Sequence, residues 1–462
     1  MFAPEIYRQR RAGLRRRIAS GTVLFAGNEP SPINYADNCY PFRQDSSFLY
    51  YFGLDEPGLA AVIDLDEGTE CLFGDDVTVD DVIWTGPQTP LCEKAHQVGI
   101  TRTAPSRDLL SFLKKVSDSS RPICLLPPCR DDQILKIGRL LDVSPQTVGE
   151  RVSESLIRAV VAQRSVKAPE EIEQIELAMS VSHQMQVAAM KTARPGVIER
   201  EVAGVMAGIA IALGARFAFE PIFSIHGETL HNPFHNNVLK AGDIAVNDSG
   251  AESPLRYASD VTRTIPVGGR FAQKQREVYS IVLDAQETAI AAIRPGVEFR
   301  DIHRLACVRL VAGLKELGLT KGDPQEAVEA GAHTLFFQCG LGHMMGLDVH
   351  DMEGLGEDYV GYTDTIRRDP AFGWRSLRLA KAVEPGHVVT VEPGIYLIPT
   401  LIDRWKAERK CEAFIDYDKV EAYRDFGGVR IEDDILVTDT GARVLGPSIP
   451  KTITDVEALA SA

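Results

Sequence analysis

Short apolar runs separated by turn-forming residues mark the first part of the chain. Residues 22–26, 60–64 and 123–126 are rich in valine, leucine and isoleucine, and polar helical stretches lie between them. Runs of four to eight such residues bounded by turn signals are typical of buried strands. The pattern over residues 21–126 therefore predicts a mixed α/β domain.

A strong helix start separates this region from the rest of the chain. Pro169 follows Ser165-Val-Lys-Ala and is itself followed by Glu170 and Glu171. Proline suits the first helical turn because its φ is fixed, and acids there face the positive end of the helix dipole. A chain of 462 residues also exceeds one ordinary core. We predict two domains, residues 1–160 and residues 165–462.

The second domain contains a weak internal repeat. The stretch Ala-Arg-Pro-Gly-Val at 193–197 recurs as Ala-Ile-Arg-Pro-Gly-Val at 292–297, each time between two helical patterns. The segment that ends in Asp248 resembles the segment that ends in Glu392 in its turn, its apolar strand and its final acid. Two helix–helix–strand halves predict pseudo-two-fold symmetry, with a central site that receives one carboxylate from each half. Chance matching of Pro-Gly pairs is the alternative explanation.

Composition narrows the partners and the compartment. A net charge of −15 argues against nucleic acid as a partner, because phosphate binding needs a positive surface. The eight cysteines are scattered without a Cys-x-x-Cys pair, which indicates reduced thiols and excludes a finger-type zinc site. The longest apolar run, residues 202–215, is too short to span a membrane. The arginine-rich start favours an amphipathic helix over a transit peptide. We expect a cytoplasmic protein with no membrane or nucleic-acid partner.

Two aspartates flank the turn of a predicted hairpin. Asp248 ends an apolar strand, Asp260 opens the next one, and Gly250 and Pro254 supply turn residues between them. Carboxylates at the inner ends of adjacent strands repel each other unless a cation lies between them. A solvated hairpin is the alternative, but the flanking strands look buried, and a buried unpaired carboxylate is costly.

Three later segments carry further polar residues in apolar surroundings. The glycine-rich segment 336–351 holds His343 and His350, and Glu392 ends the β-branched strand 388–391. Segment 427–438 places Glu432 and two aspartates within an apolar strand, close to Arg430. Buried carboxylates of this kind need a metal ion or a basic partner.

Taken together, the four segments predict a site for two divalent ions. Four carboxylates balance the charge of two such ions, and one imidazole completes a mostly hard-oxygen ligand set. Oxygen donors favour manganese, with zinc or cobalt as alternatives. Two ions about 3.5–4 Å apart can share a bridging water, lower its pKa and stabilise the oxyanion that follows attack. The chemistry expected from these residues is hydrolysis of an amide bond.

The order and spacing of these motifs resemble the metallopeptidases with the "pita-bread" fold, most closely aminopeptidase P (Xaa-Pro aminopeptidase). The resemblance covers essentially the whole chain, since segment 40–58 is similar to the N-terminal domain of that family. It implies a curved antiparallel sheet backed by helices, preceded by a smaller α/β domain. It also implies a peptide substrate with proline in second position and a homodimer or homotetramer.

The resemblance assigns roles to the five expected metal ligands. Asp248 is implied to be a bidentate ligand of one ion, and His343 and Glu392 to bind the other. Asp260 and Glu432 are implied to bridge the two ions.

Further roles follow from the same resemblance. Glu392 is implied to shuttle a proton, and His350 and His231 are implied to lie beside the reacting carbonyl, His350 as a hydrogen-bond donor to it. Arg430 is implied to border the substrate and orient the carboxylates, with a structural arginine–carboxylate pair as the alternative. Tyr396 is expected to line the proline subsite.

Two departures from the family pattern bear on the substrate. Cys339 stands where aminopeptidase P usually has a histidine near the substrate, so Cys339 is expected at the subsite. The chain between the third and fourth motifs, residues 397–426, is long and charged, which suits an insertion at the rim of the site or an oligomer contact.

Three other functions compete with an aminopeptidase. A prolidase, restricted to Xaa-Pro dipeptides, would have the same domains and ligands. A creatinase-like amidinohydrolase has the same fold but does not need five intact ligands. A binding or scaffold protein without catalysis is the alternative from another class, and Cys339 is its best support.

Overall fold

Contacts within the chain divide it into two units. The structure, a computed structural model, describes residues 1–462. The first unit consists of residues 1–164 and 352–359, and the second of residues 165–351 and 360–462. None of the helices combines the length and apolar character that a membrane span requires.

The first unit contains a mixed five-stranded sheet in the order β4-β3-β2-β1-β5. Its strands are β1 (Thr22–Ala26), β2 (Ala60–Asp64), β3 (Thr69–Phe73), β4 (Thr103–Ala104) and β5 (Ile123–Cys124). The antiparallel pairs β1–β2 and β2–β3 form its centre, and the parallel pairs β1–β5 and β3–β4 form its edges. The three apolar runs that predicted strands therefore lie in one sheet, and the α/β class is confirmed.

Seven helices accompany this sheet. They are α1 (Pro4–Arg15), α2 (Ser46–Phe52), α3 (Val79–Thr85), α4 (Leu91–Gln97), α5 (Asp108–Asp118), α6 (Asp131–Leu141) and α7 (Glu154–Arg164), with a 3₁₀ helix at Pro145–Arg151. Among them, α5 and α6 bury the apolar side chains of the sheet, whereas α3 has no buried residue. One core cluster joins Leu24 and Val62 of the sheet to Leu113 and Ile137 of the helices. Each of these side chains is at most 4% exposed, as expected for the apolar face of an amphipathic element.

The second unit begins with the two helix pairs that the repeat predicted. They are α8 (Pro169–Thr192) with α9 (Glu199–Ala212), and α10 (Gln273–Ala292) with α11 (Phe299–Glu316). The Pro-Gly turns of the two pairs make equivalent contacts. Gly196 donates its N–H to the carbonyl of Leu239 at 2.8 Å, and Gly296 donates to Val383 at 2.9 Å. The two echoes thus belong to equivalent helix–helix–strand halves.

The strands of the second unit form small, mainly antiparallel sheets. The orders are β10-β8-β7, β11-β14-β15, β12-β13 and β6-β9. Their bounds are β6 (Arg216–Phe217), β7 (Ile222–Ser224), β8 (Ile244–Ser249), β9 (Ala251–Glu252), β10 (Val261–Pro266), β11 (Val388–Val391), β12 (Gly394–Tyr396), β13 (Gly428–Arg430), β14 (Asp433–Val437) and β15 (Ala442–Val444). The first half of the repeat supplies β8, and the second half supplies β11.

Short helices connect the remaining segments. They are α12 (Pro324–Glu329), α13 (Glu357–Gly361), α14 (Pro399–Glu408), α15 (Tyr417–Glu421) and α16 (Ile453–Ser461), with 3₁₀ helices at Ala332–Leu335, Glu353–Leu355 and Trp374–Ser376. The long charged segment 397–426 forms α14 and α15. Its Ile402 and Trp405 are at most 2% exposed, and Lys321 donates its N–H to the carbonyl of Phe414 at 2.9 Å. The segment is therefore anchored in the unit by its own apolar side chains.

A buried ion pair ties strand β10 to strand β14. Arg263 Nη2 donates to Asp433 Oδ1 at 2.6 Å, and both side chains are at most 3% exposed. Lys451 and Gln286 each donate to the other carboxylate oxygen at 2.8 Å. Burial raises the pKa of Asp433, but the charges of Arg263 and Lys451 outweigh it and hold the pKa below its usual value. Both oxygens of the Asp433 carboxylate have hydrogen-bond donors, so we do not expect Asp433 to bind a metal ion.

Replacing Arg263 should destabilise the protein far more than replacing an exposed arginine. In Arg263→Met, Asp433 keeps only Lys451 as a cationic partner, so we expect a loss of about 3 kcal/mol, the lower end for a broken buried pair. Arg309→Met is the matched control, because Arg309 pairs with Asp284 on the surface and should contribute less than about 1 kcal/mol. Thermal and urea unfolding of the full chain measure both variants. Equal stabilities of the two variants would contradict the assignment.

Candidate functional site

Four carboxylates reach one place because each lies at or next to the end of a strand. Asp248 lies near the end of β8, and Asp260 immediately precedes β10. The two strands pair antiparallel with Asp248 opposite Thr262, which confirms the expected hairpin. Glu392 directly follows β11, and Glu432 directly precedes β14. These two strands also pair antiparallel, with Val391 opposite Asp433. The register thus brings two carboxylates together within each half, and the Glu432 N–H joins the halves by donating to the Thr262 carbonyl at 3.0 Å.

His343 is held against strand β11 by a close backbone approach. The His343 N–H donates to Thr390 Oγ1 at 3.1 Å, and the Thr390 N–H donates to the His343 carbonyl at 3.0 Å. A Cβ on Gly342 would lie 2.0 Å from the Thr390 carbonyl oxygen, so only glycine fits before this histidine. The glycines of this segment thus permit the contact that places the imidazole.

The imidazole of His343 presents a lone pair to the carboxylates. Its Nδ1 donates to the Met344 carbonyl at 3.1 Å, which directs Nε2 towards the carboxylates as the nitrogen available to a metal ion. Nε2 lies 3.5 Å from Asp260 Oδ2 and 3.7 Å from Glu392 Oε1. One donor atom each from Asp260, His343 and Glu432 all lie within 4.8 Å of one another. This is the arrangement of ligands around a shared cation.

The carboxylates are destabilised by their own proximity. Burial and the charges of neighbouring carboxylates raise the pKa of Asp260 and of Glu432 well above their usual values, and burial raises that of Glu392. One oxygen each of Asp248 and Asp260 is buried without a hydrogen-bond donor. Such atoms are costly unless a cation satisfies them. Orphaned oxygens, mutual repulsion and a free imidazole nitrogen fit divalent metal ions.

Arg430 positions two of the carboxylates, one directly and one through a threonine. Its Nη2 donates to Asp248 Oδ2 at 2.6 Å, and its Nε donates to Thr262 Oγ1 at 3.0 Å. The Thr262 hydroxyl in turn donates to Glu432 Oε2 at 2.7 Å. Arg430 is 3% exposed and borders the cavity, so it acts on the carboxylates from the wall of the site.

Tyr396 differs from the expectation that it lines the proline subsite. The side chain is fully buried and does not border the cavity. Its hydroxyl accepts a hydrogen bond from Arg430 Nη1 at 2.9 Å. The reason is strand register, because Tyr396 lies opposite Gly428 at the far end of the β12–β13 pair while Arg430 lies opposite Gly394. The structure places Tyr396 behind the wall, where it holds Arg430.

A cavity of about 560 Å³ opens over the five carboxylate and imidazole side chains. His231, His350 and Cys339 border it, as expected for residues near a substrate. The rings of His343 and His350 lie 4.2 Å apart in an edge-to-face arrangement. His231 is an exposed residue, but partial burial and then the charge of Arg430 lower the pKa of its ring. Burial raises the pKa of Cys339 to about 12, so its thiol stays protonated at neutral pH.

Sequence reasoning missed two polar residues of the site. Thr262 lies two positions after Asp260 on a strand, where the period of two places both side chains on one face, so a signal existed. Arg378 borders the cavity, and its charge lowers the pKa of Glu392. It lies in an irregular segment after the 3₁₀ helix Trp374–Ser376, where no local pattern indicates its neighbours.

Comparisons with known proteins agree with this geometry. The family described as Metallopeptidase family M24 matches residues 173–439, and the family described as Aminopeptidase P, N-terminal domain, matches residues 7–124. A probable Xaa-Pro aminopeptidase of Aspergillus clavatus is 33% identical over 455 residues, which cover 96% of this chain and 93% of the relative. An Xaa-Pro dipeptidase of Rattus norvegicus is 30% identical over 459 residues, which cover 95% of this chain and 89% of the relative.

Solved structures of aminopeptidase P are similar over the full length. Zinc-substituted Escherichia coli aminopeptidase P in complex with product has a TM-score of 0.81 and 28% identity, covering 99% of this chain and 98% of that one. Proline aminopeptidase P II from Yersinia pestis has the same TM-score and identity over 100% of both chains. The expected resemblance in fold, including the pita-bread architecture, is confirmed.

Removal of the Thr262 hydroxyl should weaken metal binding. Thr262→Val leaves Glu432 and Arg430 without their shared partner, and loss of such an outer partner costs roughly 10–100-fold in metal affinity. Thr320→Val is the control, since its buried hydroxyl donates to the Val311 carbonyl in a helix. Calorimetric titration with manganese measures both variants. Unchanged affinity in Thr262→Val would contradict the relay from Arg430 to Glu432.

Metal binding should weaken as the pH falls and should release protons. The raised pKa values of Asp260, Glu392 and Glu432 mean that the metal-free site keeps protons to a higher pH than ordinary carboxylates do, and an incoming cation displaces them. Because the folded pKa values exceed the unfolded ones, the metal-free protein should also gain stability as the pH falls through this window.

Calorimetry in two buffers of different ionisation enthalpy counts the protons released. Urea unfolding of the metal-free protein at mildly alkaline and mildly acidic pH tests the sign of the stability change. A binding enthalpy that is independent of the buffer would contradict the raised pKa values.

Proposed function

The chain belongs to metallopeptidase family M24, and from this membership we propose that it removes the N-terminal residue from peptides whose second residue is proline. It is a metal-dependent hydrolase, and its relatives include proteins named Xaa-Pro aminopeptidase and Xaa-Pro dipeptidase. The proposed catalytic domain comprises residues 165–462, and residues 1–160 form the N-terminal domain.

One observation carries the proposal. Asp260, His343 and Glu432 bring donor atoms within 4.8 Å of one another at the floor of a cavity. Asp248 and Glu392 border the same cavity and complete a set of four carboxylates and one imidazole. A solvated surface cluster would leave its oxygens to water, whereas these oxygens are buried and partly without donors.

We propose that these five residues hold two divalent ions. Asp248 would be a ligand of one ion, and His343 and Glu392 would be ligands of the other. Asp260 and Glu432 would contact both ions. The hard-oxygen donor set supports manganese as the native metal, with zinc or cobalt as substitutes. Bound there, two ions lower the pKa of a shared water and neutralise charge that develops at the scissile carbonyl.

The protein's own side chains manage protons and orientation in this proposal. Glu392, whose pKa is raised by burial, takes a proton from the attacking water and passes it to the leaving nitrogen. His350 donates a hydrogen bond to the carbonyl oxygen of the scissile bond. His231, kept neutral by its lowered pKa, retains one N–H to donate at the cavity rim. Arg430 holds Asp248 and Thr262 in place by donating a hydrogen bond to each side chain.

Proline in the second position of the substrate determines the shape and polarity that the subsite must have. The scissile bond is a tertiary amide without an N–H, so the wall has to fit a ring and cannot rely on a donor from the leaving nitrogen. Cys339 borders the cavity as a protonated, weakly polar thiol, which suits contact with an apolar ring. We propose Cys339 as a contact of the substrate.

A prolidase is the second candidate, favoured by the 30% identity to an Xaa-Pro dipeptidase. Such an enzyme needs a group that blocks peptides longer than two residues. The distinction thus concerns the space beyond the proline and leaves the metal ligands unaffected.

The composition also bears on the compartment in which the enzyme acts. Unevenly spaced cysteines without a disulfide framework support a reducing compartment, hence the cytoplasm. We propose a homodimer or homotetramer that acts on free peptides.

A tripeptide assay tests the proposal. Manganese-loaded protein should release the first residue of an Xaa-Pro-Yaa tripeptide, and chelation should abolish this activity. Asp260→Ala should lose roughly 10³-fold or more, because loss of an outer-shell partner alone costs 10–100-fold. Asp284→Ala is the control, since Asp284 pairs with Arg309 on the surface.

The substrates decide between the two candidates. Cleavage of the tripeptide supports the aminopeptidase, and cleavage of Xaa-Pro dipeptide alone replaces it with the prolidase. Activity that survives both chelation and Asp260→Ala would refute the proposed metal chemistry.

A further inference from the structure

A second cluster of metal-ligating side chains lies in the core of the catalytic unit. His303 and Cys307 lie on α11, and His333 lies in the 3₁₀ helix Ala332–Leu335. One donor atom from each of the three lies within 4.8 Å of the others. All three are at most 2% exposed, and none borders the cavity of the active site. The cluster is therefore separate from the carboxylate site.

The distance between Cys307 and His303 fits an edge of a tetrahedral zinc site. Cys307 Sγ lies 3.6 Å from His303 Nε2. Bonds of about 2.3 Å to sulfur and 2.05 Å to nitrogen at a tetrahedral angle place the two donors about 3.6 Å apart. The spacing i, i+4 puts both side chains on one face of the helix, as in other helical metal sites. A weak S–H···N hydrogen bond has a similar length and is the competing explanation.

Unsatisfied nitrogens favour a ligand over that hydrogen bond. Both ring nitrogens of His333 are buried without a partner of hydrogen-bonding geometry, and only the backbone of Val328 acts on this ring from nearby. At least one nitrogen of His333 is therefore open to a metal ion. Burial and then the charge of Arg304 lower the pKa of His333 to about 4, and the backbone of Val328 opposes this shift only in part. Burial lowers the pKa of His303 to about 3. Both rings are thus neutral at physiological pH, which is the form that binds metal.

We propose that His303, Cys307 and His333 bind a borderline divalent cation of the zinc type. Two imidazoles and one thiolate form a softer donor set than the oxygen-rich active site, so the two sites select different ions. Binding converts the Cys307 thiol to a thiolate and releases its proton to solvent, so one divalent ion replaces one proton. Burial and then the neighbouring Cys339 raise the pKa of the Cys307 thiol, so the bound cation has to displace its proton. Water or the thiol of Cys339 supplies the fourth position.

The ion would act as a brace. It would fix α11 to the helical turn at His333, which leads along the chain to Cys339 and His343. His303, Cys307 and His333 do not border the active-site cavity, so the substrate does not touch these three residues. The site requires only the fold, and its existence is independent of the proposed peptidase activity.

Cobalt binding to the metal-free full-length protein tests the site. A thiolate bound to Co(II) gives a near-ultraviolet charge-transfer band, whereas the carboxylate and imidazole ligands of the active site give none. We expect this band in the unaltered protein and its loss in Cys307→Ala, together with a fall of one bound ion per chain. Cys124→Ala is the matched control, since Cys124 is a buried cysteine of the first unit.

Two further variants guard against misleading outcomes. His333→Gln keeps the thiol and should lower the affinity for zinc at least about 10-fold, because even outer-shell losses cost that much. Circular dichroism confirms that each variant is folded.

The variant Cys339→Ala identifies the fourth ligand. A shifted band identifies Cys339 in that position, and an unchanged band identifies water. Absence of the band in the unaltered protein, or its survival in Cys307→Ala, would overturn the proposal.

Discussion

The repulsion between buried carboxylates is the constraint on which the second unit depends. Asp260 and Glu432 are at most 6% exposed, and burial, followed by the charges of neighbouring carboxylates, raises the pKa of both. Such a cluster is unstable in an apolar core unless cations offset it. Arg430 supplies one fixed positive charge, with its Nη2 at 2.6 Å from Asp248 Oδ2. The orphaned oxygens that remain face the cavity, where divalent ions would bind.

Strand register converts this constraint into a site. Antiparallel pairing of β8 with β10 and of β11 with β14 sets two carboxylates side by side in each half of the repeat. Hydrogen bonds between Glu432 and Thr262 then join the two halves. Alternation along β14 then separates two adjacent acids, because Glu432 faces the cavity while Asp433 pairs with Arg263. A one-residue slip would exchange these environments and leave one acid without a partner. The fold and the chemistry are therefore specified by the same pairing.

Sequence patterns predicted the elements that depend on neighbouring residues. They did not predict contacts between residues that are far apart along the chain. The apolar runs at 22–26 and 60–64, the helix start at Pro169 and the repeated Pro-Gly turns each depend on neighbouring residues, and each lies where predicted. The pairing of Arg263 with Asp433 joins residues 170 positions apart, and no local pattern indicates it. Tyr396 was expected at the subsite, but strand register turns it behind the wall to hold Arg430. The cluster of His303, Cys307 and His333 likewise needs the packing of two helical segments.

The central claim is that the four carboxylates and His343 form a dinuclear centre. Anomalous diffraction from crystals of the full chain grown with manganese tests it most directly. The account predicts two anomalous peaks about 3.5–4 Å apart, with Asp260 and Glu432 between them. A single peak, or manganese bound elsewhere while these carboxylates contact only protein and water, would contradict it.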